Sequence, residues 1–378
     1  MRRKIGEICE IVSGTTPKTG RPEYWGGECK WITPAELNDD SYFIYDTERK
    51  LTQLGVAEAG LHAFPAGTVL LSSRAPIGKV AIAGTAMTCN QGFKNLICTQ
   101  SVHNRFLYWF LKSQKNYLIS LGRGATFKEI SKAILADVEM ELPSLDKQIE
   151  IADQFESITS LIMNRRAQIV KLDELIKARF VEMFGVIRPD SSYTLLKEVC
   201  KIERGGSPRP ISDYVTDNND GVNWIKIGDA NPDGYIYSTA EKIRREGVKK
   251  SRFVKTGDLL LSNSMSFGRP YILKIDGCIH DGWLVLQFDK GILNTTFMRT
   301  YLSMPEVYDI FTKMAVGGVV NNLNKDMVGK LPIFVPEIAR QTSFAAFVEQ
   351  VDKSKVVVQK ALDKAQQLYD SLMQQYFD

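Results

Sequence analysis

Pro143-Ser-Leu-Asp-Lys-Gln148 opens a run that continues without Gly or Pro to Phe184 and carries an apolar residue at every seventh position: Phe155, Ile162, Ile169, Ile176 and Met183. A second seam lies four residues ahead of each, at Ile151, Ile158, Arg165, Leu172 and Arg179. Alternating spacings of three and four mark a helix packed lengthwise on another helix. At about 1.5 Å per residue the run is roughly 60 Å long, too long for the interior of one compact domain. The run needs a partner that leaves room at its margin for the stems of Arg165 and Arg179.

The partner is in the same chain, because the chain repeats itself. Gly6-Glu-Ile-Cys-Glu-Ile-Val-Ser-Gly-Thr-Thr-Pro17 matches Lys197-Glu-Val-Cys-Lys-Ile-Glu-Arg-Gly-Gly-Ser-Pro208, and Trp31-Ile32 matches Trp224-Ile225. Gly67-Thr-Val-Leu-Leu-Ser-Ser73 falls on Gly257-Asp-Leu-Leu-Leu-Ser-Asn263, and Asn90-Gln-Gly-Phe93 falls on His280-Asp-Gly-Trp283. Pro143 and Gln148 fall on Pro336 and Gln341, and the offset stays between 190 and 194 throughout. A twin helix is therefore predicted from about Glu337 to Phe377. Its seams are Phe344, Val351, Val358, Ala365 and Leu372, and Val348, Lys355, Leu362, Tyr369 and Tyr376. Neither stripe has another partner of sufficient length, so the two helices are expected to pair. One helix leads into the second globular copy and the other ends the chain, so the pair is antiparallel and the halves are related by a pseudo-two-fold axis. The expected class is α+β: globular mixed α/β domains at 1–142 and 189–335, and long helices at 143–188 and 336–378.

Bulk composition agrees with an ordinary folded protein. Apolar residues make up 44% and charged residues 24% of the 378, and the formal charge of +4 permits a nucleic-acid partner without requiring one. Cys9, Cys29, Cys89, Cys98, Cys200 and Cys278 form no C-x-x-C pair, and only three histidines are present, so no metal site is expected. These are the thiols of a reduced, cytoplasmic protein. No apolar run approaches the ~20 residues of a membrane span.

Inside each copy, Val69–Leu71 and Leu259–Leu261 read as buried strands, with Lys79–Ala83 and Tyr271–Ile275 paired to them. Asn104 to Leu118 and Asn294 to Phe311 read as amphipathic helices. Long polar loops are expected at 13–30, 205–223 and 228–250. Trp31 and Trp224 sit in apolar strand-like runs and read as core. The chemistry of catalysis is missing. Ser73-Arg-Ala-Pro-Ile-Gly78-Lys79-Val80 resembles a phosphate loop but has Ser73 for the first glycine and Val80 for the magnesium-binding Ser/Thr. Gly122-Arg-Gly124-Ala-Thr-Phe127 lacks the third glycine of a dinucleotide loop.

Ser72-Ser-Arg-Ala-Pro-Ile-Gly-Lys-Val-Ala-Ile-Ala83, followed by Cys89-Asn-Gln-Gly-Phe-Lys94, resembles the target-recognition domain of type I restriction–modification specificity subunits. Leu142-Pro-Ser-Leu-Asp-Lys-Gln-Ile-Glu-Ile-Ala152, leading into a long helix, resembles the same family, and the duplicated layout covers the whole chain. The second copy departs from the pattern at His280-Asp281 and Arg340-Gln-Thr-Ser-Phe344. The resemblance implies a non-catalytic reader of double-stranded DNA. It would hold two methyltransferase subunits, with restriction subunits in the full complex. Each recognition domain would read half of a split target, and the helices would set the spacer. S-adenosylmethionine, ATP and magnesium would belong to the partner subunits, not to this chain. The alternative is a coiled-coil adaptor whose two globular domains bind proteins.

Base edges call for Arg, Asn or Gln, and phosphates for Lys, Arg, Ser, Thr or free backbone N–H groups. In the first copy the candidates are Thr15, Thr16, Lys18, Ser72, Ser73, Arg74, Asn90, Gln91, Arg123, Thr126 and Lys128. In the second they are Gly206, Ser207, Arg209, Lys226, Ser262, Asn263, Ser264, His280, Asp281, Asn321 and Asn322.

Overall fold

The computed structural model describes residues 1–124, 128–188, 190, 193–264, 267–315 and 322–378. It divides into two compact units, 1–166 with 360–378, and 167–359.

The heptad runs form helices of 40 residues each, Leu145–Phe184 and Ile338–Phe377. Each unit contains part of both. In the first, Ile151, Phe155, Ile158 and Ile162 share a core with Ala365 and Phe377, and with the partly buried Leu362, Tyr369, Leu372 and Tyr376. In the second, Ile176 and Phe180, with Leu172 and Met183, share a core with Phe344, Val348 and Val351. The start of one helix lies beside the end of the other in both units, so the pairing is antiparallel. Ile169 and Val358 are half-buried. Lys355 pairs with Asp173, and Arg179 pairs with Glu182 at 2.8 Å and lies over the Phe347 ring.

The heptad reading overlooked the helix ends. Phe180 is fully buried and stacks on Phe297 and against Phe344, each at 5.6 Å between centroids. Phe377 stacks on Phe155 at 5.6 Å. At these ends one side chain touches both the partner helix and the globular part of its unit, as Phe180 does at Phe344 and Phe297 and Phe377 does at Phe155 and Phe106.

In the first unit a five-stranded sheet runs in the order Cys9–Val12, Asn95–Cys98, Val69–Leu71, Val80–Ala83, Phe43–Ile44, beside a three-stranded sheet of Arg49–Leu51, Trp25–Ile32 and Thr88–Cys89. In the second unit the first sheet recurs as Lys201–Arg204, Trp283–Gln287, Leu259–Ser262, Pro270–Leu273, Tyr235–Ile236. Its second sheet has five strands: Val215–Thr216, Glu241–Ile243, Val222–Ile225, Gly277–Ile279 and Arg252–Val254. The stretches expected to be loops thus contain short strands. Trp25–Ile32 was hidden by two glycines and a register shift between Trp25 and Cys29. Trp31 and Trp224 are core residues, each 2% exposed.

The two predicted amphipathic helices are each broken. Asn104–Ser113 is followed by Lys115–Leu121, and Gln114 between them donates from Nε2 to Phe377 O at 3.0 Å. Thr295–Leu302 gives way to Pro305–Ala315, because Pro305 suits the first turn of a helix and disfavours helical backbone at Met304.

A buried glutamine fastens each long helix to its unit. Gln148 accepts from His103 N at 2.8 Å and donates to Ser101 O and Pro143 O at 3.1 and 2.9 Å. Gln341 accepts from Asn294 N at 2.8 Å and donates to Ile292 O and Pro336 O at 2.9 and 2.7 Å. Both are fully buried, so every one of these bonds replaces one to water.

Candidate nucleic-acid interface

Three loops meet at one end of each five-stranded sheet that carries the Val69–Leu71 or Leu259–Ser262 strand. In the first unit Ser72 Oγ donates to Pro76 O at 2.7 Å and accepts from Lys79 N at 2.8 Å, which closes the 72–79 loop. Ser73 N donates to Gly92 O at 2.8 Å, and Ser73 O accepts from Ile130 N at 3.0 Å. The second unit repeats the design. Ser262 Oγ accepts from Arg269 N at 3.0 Å, Asn263 N donates to Gly282 O at 3.0 Å, and Asn263 O accepts from Leu323 N at 2.9 Å. Gly78 and Gly268 turn these loops with φ of +92° and +77°, a region L side chains rarely enter.

A fourth loop lies flat on the strand end. A Cβ on Gly14 would sit 1.7 Å from Cys89 O, and one on Gly205 would sit 2.1 Å from His280 O. Only glycine permits that approach. The Thr16 hydroxyl then donates to the side-chain oxygen of Gln91, and the Ser207 hydroxyl donates to Asp281 Oδ1 at 2.9 Å. Asn90 Oδ1 accepts from Gly92 N at 2.9 Å, and His280 Nδ1 accepts from Gly282 N at 2.7 Å. With Nδ1 engaged in this bond, Nε2 is the ring nitrogen left for another partner. His280-Asp281 does the same structural work as Asn90-Gln91 while presenting different groups. Burial alone would raise the Asp281 carboxyl pKa, but the Ser207 hydroxyl, His280 and Arg204 hold it below the usual aspartate range.

The remaining candidates sort by exposure. Thr15, Lys18, Gln91, Arg123, Lys128, Arg209 and Asn322 are exposed at these loops. Arg74 and Ser264 are half-buried, and Gly206 lies in the flat loop. Ser72, Ser73, Ser262 and Asn263 are buried and bonded as described. Lys226 is held by Glu241. Thr126 and Asn321 lie outside the described residues.

Sequence reasoning passed over Lys94, which is 8% exposed and pairs with Glu129 at 3.0 Å beneath the loops. Glu129 in turn forms backbone bridges with Arg74 and Arg123. It also passed over Arg204 and Arg252, which with Lys201, Asn263, Asn322 and Lys325 line an 810 Å³ recess in the second unit. These groups sit at strand ends far apart in sequence and carry no local signal. The exposed groups are donors suited to base edges and phosphates.

Each globular part is tied to a long helix by a tyrosine, an arginine and a carboxylate. Arg105 pairs with Asp153 and Glu156, both at 2.8 Å, and Tyr42 donates to Glu156. In the second unit Tyr235 donates to Asp352 at 2.8 Å and Arg299 lies 3.5 Å from the same carboxylate. Burial, with the carboxylate beside it, pushes each phenol above its usual range; Arg299 opposes the shift at Tyr235.

The family model described as the type I restriction modification DNA specificity domain matches residues 1–172 and 191–365. The MjaIX type I restriction enzyme specificity subunit of Methanocaldococcus jannaschii is 40% identical over 253 residues, covering 65% of this chain and 57% of that protein. The chain therefore matches little more than half the length of that relative. The MjaVIII specificity subunit of the same organism is 22% identical over 97% of this chain and 90% of its own. A crystal structure of the type I restriction–modification S subunit from M. genitalium superposes with a TM-score of 0.62 at 15% identity, covering 100% of this chain and 96% of that one.

Proposed function

The chain belongs to the type I restriction–modification DNA specificity family, and from that premise we propose that it is a reader of double-stranded DNA in which each unit recognises one half of a split, asymmetric target. One observation carries this reading. The bonds that build the two loop clusters are the same, while the side chains held by them differ, as at Asn90 and His280. A shared scaffold with different donors and acceptors suits two half-sites of different sequence.

The chain would position DNA for partners that carry the chemistry: two methyltransferase subunits, joined by restriction subunits in the full complex, in the cytoplasm. S-adenosylmethionine, ATP and magnesium would be bound by those partners. The long helices offer a docking face. Leu161, Met163 and Leu368 are 40, 56 and 51% exposed in the first unit, and Leu161 and Leu368 border a 560 Å³ groove between the helices. Leu175, Val356 and Val357 are exposed in the second. Among the described residues no helix is long and apolar enough to cross a membrane.

The helices would also set the spacer between the half-sites. A heptad inserted into both adds ~10 Å, roughly three base pairs. Selection of bound duplexes from a random pool, with the methyltransferase present, should return two short motifs with a fixed gap. The double insertion should widen the gap and keep both motifs. An uninterrupted motif contradicts the split target, and no enrichment contradicts DNA reading and favours a protein-binding adaptor.

A further inference from the structure

The two units differ in charge along one edge. Arg244, Arg245, Lys249, Lys250 and Arg252 occupy positions that in the first copy hold Thr52, Gln53, Ala57, Glu58 and His62. Five cations with one carboxylate, Glu246, thus face a counterpart with one carboxylate and no permanent cation. Arg244, Arg245, Lys249 and Lys250 are exposed. Among the described residues Arg244, Arg245 and Lys249 form no ion pair, whereas Lys50 of the first unit is neutralised by Asp46 at 3.0 Å. Lys250 lies 4.9 Å from the centroid of the Tyr214 ring, and Arg252 pairs with Glu203 at 3.0 Å, which holds the C-terminal end of the strip in place.

The Lys249–Arg252 end of the strip borders the candidate reading loops, whereas Arg244 and Arg245 follow Ile243, which pairs with Val222 at the other end of the sheet, and lie beside Thr216 and Asp220. The strand Arg252–Val254 runs antiparallel to Gly277–Ile279 with Arg252 opposite Ile279. Residues 249–251 therefore leave the sheet at the end from which His280–Gly282 emerges. A Cβ on Gly206 would lie 3.2 Å from Lys250 O, and Arg252 Nε donates to Arg204 O at 3.2 Å. A cationic face that ends beside a base-reading loop has a natural ligand in the phosphates that flank the bases.

We propose that Arg244–Arg252 is a phosphate-backbone clamp that the second unit has and the first lacks. The proposal rests on the chain being a DNA reader. The half-site read by the second unit is then held by the larger sequence-independent, salt-sensitive contribution, and the first unit relies more on its base contacts.

The test is binding of the full chain to random-sequence duplex over a salt series, comparing wild type with Arg244→Gln/Arg245→Gln/Lys249→Gln. Each lost phosphate contact lowers the slope of log affinity against log salt by ~0.9, so the triple variant should lose about two to three units of slope. Its affinity should fall by the same factor on target and random DNA. Thr52→Arg/Gln53→Arg/Ala57→Lys, which builds the strip into the first unit, should raise the slope. Intact DNA binding with unchanged slopes overturns the clamp and leaves the reader standing. Failure of the wild type to bind DNA at any salt overturns both.

Discussion

Asn90 and His280 occupy the same place in two copies of one fold, and each accepts a backbone N–H two residues on. Gln91 and Asp281 likewise each accept a hydroxyl from the flat loop. What differs is what is left over: an amide against an imidazole nitrogen, and a neutral side chain against a charged one. Duplication has separated two jobs that sequence alone mixes together. Bonds common to both units build the scaffold, and groups that differ are available for recognition.

The helix contacts follow the same logic with different filling. Phe180 anchors the second unit, while its counterpart in the first is the partly buried Met373. Phe180→Ala should destabilise the second unit by about 3–5 kcal/mol, and Met373→Ala the first by about 2. Unit-resolved hydrogen exchange would measure both. Equal losses would mean that the heptad seam, not the aromatic anchor, carries the contact.

The two buried glutamines should show no such difference. Gln148→Ala and Gln341→Ala each leave one backbone N–H and two carbonyls unpaired, at a cost of about 1–3 kcal/mol. The loss should be equal and confined to the mutated unit, read from exchange at 101–104 or 292–295. A loss in one unit alone would break the equivalence.

Both glutamines were legible in the sequence, because the repeat aligned them. So were the fold class, the paired antiparallel helices, the central strand pairs and the two core tryptophans. Periodicity and self-similarity are local or register-preserving signals, and they survive without coordinates. The breaks at Gln114 and Pro305 were missed, the first because it depends on a contact 263 residues away at Phe377. The pair of buried Lys94 with half-buried Glu129 and the end of the basic strip beside His280 were missed for the same reason: only the strand register brings them to the loop end of the sheets. Ser72 and Ser262 have the right residue type for a phosphate contact, yet their hydroxyls close their own loops.

The smallest expected effect concerns pH. The Asp281 carboxyl pKa is lower in the folded chain than its usual value. It therefore stabilises the fold above the unfolded aspartate pKa, and the benefit is lost as pH falls through the folded value. Thermal denaturation across pH should show wild type more stable than Asp281→Asn at neutrality, with the two converging in acid. Gln91→Glu should give the first unit the same acid sensitivity. Curves that stay parallel would show that the Ser207 bond does not depend on the charge.

The central claim is one half-site for each unit. Mapping methylated positions across the genome of cells carrying this chain and the proposed methyltransferase partner, as wild type and as Arg74→Ala, tests it most directly. The account predicts two different short motifs with a fixed gap, and a loss of ~1–3 kcal/mol of discrimination in one motif only in the variant. A single uninterrupted motif, or equal loss in both halves, would contradict it.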